Sequence, residues 1–198
     1  MLQPGDKKAL AIIGAVVVAA LVIIAGATAL LVRGHEKPLP TVALTAEDGL
    51  AQVEPSFWCS EKLTDCRNLQ LNADGTPVIR TVDHPVRIGD ETWVSVPEEI
   101  SSSPWALLAE FATPRGLERV QWIHLPDEKS TQVLKSTPDR VLIGIEVSVV
   151  SAVQLPAPGQ KEATDEGDFP FRGVFSVRTL PVGFDIPNKT PLDGTQGD

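Results

Sequence analysis

The polar and apolar positions of this chain fall into two regimes. Residues 9–32, ALAIIGAVVVAALVIIAGATALLV, carry no charge, and Thr28 supplies the only hydroxyl. As a helix the run spans about 36 Å at 1.5 Å per residue, more than the roughly 30 Å of a hydrocarbon core. A soluble helix of this length carries a polar stripe, and this one has none. The pattern predicts one N-terminal transmembrane α-helix. The competing reading is a cleaved signal peptide, because AGA at 25–27 has the small-x-small form of a processing site. Cleavage there would leave an apolar start, TALLV, and the core is long for a signal sequence. The uncleaved anchor is the expectation adopted.

Beyond the span the period changes to that of strands. TWVSV at 92–96 alternates strictly, and RVQWIHL (119–125), TQVLK (131–135), RVLIGIEVSVVSAV (140–153) and FRGVFSVRTL (171–180) are rich in β-branched residues. TVALTA (41–46), PVIRTV (77–82) and PVRI (85–88) are further strand candidates. Turn signals such as ADGT, IGDE, TPRG and TPDR separate them, and short strands so punctuated predict a mainly β sandwich or barrel. SSSPWALLAEF at 101–111 is ambiguous: Ser103 and Pro104 make a fair helix start, while the run from Trp105 also suits a central strand. The strand is preferred, because the sheet otherwise lacks a central member. PAPGQKEATDEGDFP at 156–170 reads as a mobile hairpin loop, and residues 185–198 as a disordered tail. The expected organisation is a cytoplasmic N-terminus (1–8), the membrane helix (9–32), a Pro-containing linker (33–40), a β domain (41–184) and the tail.

Charge bears on orientation. Lys7 and Lys8 precede the span and Arg33 and Lys37 follow it, so the positive-inside balance leans only slightly toward a cytoplasmic N-terminus. Of 17 basic residues, 14 remain once Lys7, Lys8 and Arg33 are set aside, against 25 acidic ones without Asp6. An acidic domain and a lone cysteine pair favour an extracytoplasmic setting at the plasma membrane. The same acidity argues against nucleic acid as a partner.

The two cysteines, Cys59 and Cys66, lie in FWCSEKLTDC. Zinc needs four ligands, and His35, His84 and His124 have no ligand spacing to the pair. Redox couples use a tighter Cys-x-x-Cys. A structural disulfide remains, holding SEKLTD as a charged knuckle beside Trp58 and contributing about 2–3 kcal/mol by loop entropy. Nothing catalytic assembles: there is no nucleophile elbow, no phosphate-binding glycine loop and no EF-hand spacing in ATDEGD. No cofactor, metal site or enzymatic activity is expected. His124 reads as a structural histidine, and NKT at 188–190 fits a glycosylation sequon that also arises by chance. Among the tryptophans, Trp93 and Trp122 are expected in the core, and Trp58 or Trp105 as an exposed anchor for a partner. Ala11, Gly14, Ala15 and Ala19 lie together on one face of the membrane helix, a candidate surface for close helix packing that also arises by chance in Ala-rich anchors.

The order of features resembles an actinobacterial envelope family, domain of unknown function 2771. The likeness rests on WCSEKLTDC followed by VSVPEEISSSPWALL and the late strand FRGVFSVRTL, and covers residues 40–180. Matching positions are Cys59, Cys66, Val96, Pro97, Ile100, Pro104 and Trp105. Many members look like lipoproteins or secreted proteins, whereas this chain has an anchor-like leader and no lipid-accepting cysteine. The resemblance implies an envelope location and an immunoglobulin-like β-sandwich, and no activity. The functional expectation is a non-catalytic, single-pass accessory subunit of a membrane or envelope complex, for example a respiratory assembly. The alternative is a carrier that holds lipid or glycolipid between its sheets.

Overall fold

Two units make up the chain, Met1–Pro38 and Leu39–Asp198. A computed structural model describes residues 4–33, 37–47, 49–155, 169–192 and 194–197. The first unit is helix α1 (Pro4–Arg33). Its stretch Ile12–Leu31, 20 residues, is long and apolar enough to cross a membrane. The Thr28 hydroxyl donates to the Ile24 carbonyl at 2.8 Å, which satisfies the one polar side chain within that stretch.

The second unit is built from strands. β1 (Val42–Ala46), β2 (Gly49–Val53), β5 (Glu91–Ser95) and β8 (Thr131–Lys135) form an antiparallel sheet in the order β2-β1-β5-β8. The larger sheet has β6 (Trp105–Thr113), β7 (Gly116–His124), β9 (Val141–Val150), β10 (Phe171–Arg178), β3 (Phe57–Trp58) and β11 (Thr195–Gln196) in the order β11-β7-β6-β9-β10-β3. β4 (Thr81–Asp83) pairs in parallel with the second half of β10. The ambiguous segment at 101–111 is a strand from Trp105 onward and lies inside the sheet, between β7 and β9. Among the described residues of this unit, α-helix is confined to one short turn before it, α2 (Glu98–Ser101), which begins after Pro97 and stops before Pro104.

Alternation decides what is buried. Val42 and Leu44 of β1, Val94 of β5 and Leu134 of β8 meet Trp105, Leu107, Ala109 and Phe111 of β6, Leu142, Ile145, Val147 and Val149 of β9, and Phe175 and Val177 of β10 in one shared core. The register of β9 against β6 slips between Glu110 and Phe111, where Ile143 is the extra residue. The bulge leaves Leu142 and Ile145 in the core although they are three positions apart, and turns Ile143 to the outer face. There Ala112, Val141 and Ile143 pack against Leu180, Phe184 and Ile186.

The expected disordered tail is corrected by the structure. Leu117 donates its amide to the Thr190 carbonyl, Leu192 donates to Leu117 and Gly197 to Gln121, each at 2.8 Å. β11 then pairs in parallel with Val120 and Gln121. An open β7 edge presents unpaired N–H and C=O groups, and the polar segment that shows no apolar periodicity satisfies them with its backbone. The β domain therefore extends beyond residue 184. Most of the expected hairpin loop, 156–168, lies outside the described residues.

Truncation after Ile186 is expected to speed amide hydrogen exchange at Leu117 at least tenfold and leave Leu107, inside the sheet, unchanged. Equal protection at Leu117 in the truncated chain would refute the strap.

Candidate functional site

The three stretches FWCSEKLTDC, VPEEISSSPW and FRGVF are far apart in the chain and converge at Arg172. The register of β10 against β9 jumps between Phe171, opposite Val150, and Gly173, opposite Val149. Arg172 is the residue left over, and the bulge turns it into the protein, where it is 7% exposed. Its guanidinium carbon lies 4.5 Å from the centroid of the Trp58 ring. Nη2 donates to the Glu99 carbonyl at 2.9 Å and to Ser103 Oγ at 3.2 Å. Its own carbonyl accepts from the Cys59 amide at 2.7 Å. Burial pushes the Arg172 pKa down, and the nearby Glu61 charge opposes that. Nε has no acceptor among the described residues.

The knuckle is built around that arginine. Cys59 and Cys66 are joined by the expected disulfide. Ser60 and Leu63 close the loop, the Leu63 amide donating to the Ser60 carbonyl at 2.9 Å and the Ser60 amide to Thr64 at 3.1 Å. Phe57, Cys59 and Val174 form a small core that Leu63 and Cys66 complete, so the knuckle sits on the outer face of β10. Trp58 is half-buried, with its ring edge-on to Phe175 at 6.1 Å between centroids. Gly173 makes this possible, because a β-carbon there would clash with Cε3 of the Trp58 ring.

The tryptophans are sorted differently from expectation. Trp105 is fully buried, donates Nε1–H to the Lys129 carbonyl at 3.2 Å and stacks on His124, with ring centroids 4.3 Å apart. It is a core residue and offers no surface anchor. Together with Val96 and Ile100 it explains the V-P-x-x-I-x-x-x-P-W spacing: the three side chains, before, within and after α2, enter one core. Trp93, expected inside, is 51% exposed. The alternation of β5 is real, but its buried members are Thr92 and Val94, which points Trp93 outward. Trp122, also expected inside, is only partly buried at the rim of the core, where Gly197 lies against its indole. Trp93 sits in a row that crosses the outer face of the smaller sheet, Leu50–Thr45–Trp93–Val133. Leu50 is 63% exposed. The Lys135–Glu91 ion pair flanks one side of the row, and Ser95, hydrogen-bonded to Thr131 at 3.2 Å, flanks the other.

A second surface feature lies on the outer face of the larger sheet. A groove of about 300 Å³ is lined by Leu108, Glu110, Arg119, Gly144, Glu146 and Ser176, among others. Arg119 Nε pairs with Glu110 Oε1 at 3.1 Å, and Arg178 makes a two-pronged pair with Asp83 at 2.5 and 2.9 Å. Those hydrogen bonds hold the Asp83 carboxyl below its usual range. Burial lifts that of Glu146, with Arg119 pulling it back.

No group of three or more His, Cys, Asp or Glu side chains with metal-binding proximity occurs among the described residues. His35 lies outside the described residues. His84 and His124 each keep a buried, unpartnered Nε2. In the first unit Gly14, Ala15 and Ala19 are exposed along α1, while the Ala11 side chain lies outside the described residues.

The architecture defines a class: a mainly β domain of two sheets preceded by an apolar helix. The helix, as signal or anchor, and the disulfide both point to a secreted or envelope protein. The family model described as "Protein of unknown function (DUF2771)" matches residues 35–180, and the chain belongs to that family. The uncharacterized proteins Rv0875c of Mycobacterium tuberculosis and Mb0899c of Mycobacterium bovis are each 34% identical over 110 residues, 54% of this chain and 62% of theirs. The chain thus spans about three fifths of the length of these curated relatives. No solved structure matches it.

His124 yields a pH prediction. Burial, then Lys129, lowers its pKa, with Glu128 opposing. The unfolded chain therefore binds this proton more readily, and the stabilising contribution is complete above about pH 6.5 and lost as pH falls through the folded pKa. Urea titrations of the wild type are expected to show stability falling below about pH 6.5, and His124→Gln to flatten that slope. An unchanged slope in the variant would exclude His124 as its source.

Proposed function

We propose that this chain is a non-catalytic, single-pass envelope protein whose N-terminus is cytoplasmic and whose β domain, outside the cytoplasm, binds another protein as an accessory subunit of a membrane complex. The observation that carries the reading is the Leu50–Thr45–Trp93–Val133 row on an otherwise polar sheet face. Burying the exposed indole of Trp93 supplies the large contact area that makes tryptophan a frequent centre of interfaces. Ion pairs and hydroxyls at the edges of the row suit a polar rim. The acidic excess beyond the leader, and a disulfide of the kind that forms and persists in oxidising spaces, support the extracytoplasmic placement.

An immunoglobulin-like assignment is part of the same reading. The order β1-β5-β8 in one sheet and β7-β6-β9-β10 in the other corresponds to strands A-B-E and C′-C-F-G of that sandwich, with strand D missing and β2 added outside β1. The carrier alternative gains nothing from the interior, where Trp105, Phe111, Leu142 and Phe175 fill the space between the sheets.

Affinity purification of the full chain from gently solubilised membranes is expected to recover a stoichiometric integral or envelope protein, and Trp93→Ala to lose it. Recovery of the chain alone at its monomer mass, or an association indifferent to Trp93, would overturn the proposal.

A further inference from the structure

The outer face of the larger sheet is covered at two places. The disulfide knuckle sits on Val174, and Leu180, Phe184 and Ile186 sit on Ala112, Val141 and Ile143. Between them runs the groove, over two rows of residues. One row is Arg119–Glu110–Gly144–Arg178, continued by Asp83 of β4. The other is Gln121–Leu108–Glu146–Ser176, continued by Thr81. Gly144 supplies the hollow, since a β-carbon there would stand 3.8 Å from Glu110.

The charges in the groove are not equivalent. Glu110 is taken by Arg119 and Asp83 by Arg178. The Glu146 side chain, in the middle of the sheet, makes no hydrogen bond or ion pair within 4 Å among the described residues, although the residue is half-buried. Burial raises its carboxyl pKa, and the positive charge of Arg119 pulls it back. Beside it on one strand is Leu108, an apolar wall. Beside it on the other is Ser176, whose hydroxyl lies 3.1 Å from that of Thr81.

We propose that this groove binds an alkylammonium group, with Glu146 as its counter-ion, the Ser176 and Thr81 hydroxyls accepting its remaining N–H bonds, and Leu108 packing its carbon chain. An ammonium has three donors and no acceptor, which matches one carboxylate and two hydroxyl oxygens. A divalent cation is a poor match, because Ca²⁺ takes six to eight oxygens and the other two carboxylates are already occupied by arginines. The volume lies at the small end of ligand sites, which suits a single side chain or a short amine.

The proposal is independent of the Trp93 face and is tested apart from it. Full chain in detergent is titrated calorimetrically with n-butylamine and with Nα-acetyl-lysine methylamide. At least one amine is expected to bind saturably, Glu146→Gln to weaken that binding at least tenfold, and the exposed control Glu47→Gln to leave it unchanged. 1-Butanol, with the same chain and no charge, is expected not to bind. Tighter binding of the lysine derivative identifies a lysine side chain as the natural source of the group, and tighter binding of butylamine a free amine. Failure of both amines to saturate, or equal affinity in Glu146→Gln, would overturn the site. Circular dichroism of Glu146→Gln checks that the near-isosteric variant keeps its fold.

Discussion

A guanidinium held inside the protein is the constraint around which the β domain is arranged. Removing a charge from water costs several kcal/mol unless polar partners surround it. Arg172 meets that cost with an aromatic face on one side and a carbonyl and a hydroxyl at Nη2. The partners come from two distant parts of the chain: Trp58 from beside the stapled knuckle, Glu99 and Ser103 from the turn that leads into β6. The bulge in β10 provides the room, and Gly173 lets the indole approach the strand closely. The knuckle, the turn and the late strand are thus one assembly, and the disulfide stiffens one wall of it.

From that junction the division of surfaces follows. Docked on β10, the knuckle closes one region of the larger sheet's outer face, and the chain after β10 returns to close another. What stays open is a strip whose charges are paired except at Glu146. Within the second unit, no described residue covers the outer face of the smaller sheet around Trp93, which is exposed. The domain thus leaves open two faces of different chemistry, one aromatic and one carboxylate-bearing.

Much of this arrangement was legible from residue pattern. The alternation at 92–96 and the β-branched run at 140–153 located β5 and β9, and the missing central member was found where Trp105 begins. The disulfide followed from elimination among cysteine chemistries. Which side of β5 faces inward was not legible, because Thr92 and Trp93 are both compatible with either face until the partner sheet is known, and that placed Trp93 wrongly. The strap was invisible for another reason: backbone hydrogen bonds to an open edge leave no hydrophobic period in residues 188–197. Arg172 was missed although FRGVF carried a signal. A cation next to glycine inside an apolar strand marks a bulge with a buried charge, and its partners lie too distant in sequence to be named in advance.

The most direct test is the energetic coupling between the junction and the knuckle. Unfolding free energies are measured by urea titration for the wild type, Arg172→Met, the paired Cys59→Ala/Cys66→Ala variant, and their combination. If Arg172 holds the stapled knuckle in place, the combined loss falls short of the sum of the separate losses by about 1 kcal/mol or more, as expected for groups in one network. Strict additivity would mean that the arginine and the knuckle stabilise the domain separately, which would contradict the account.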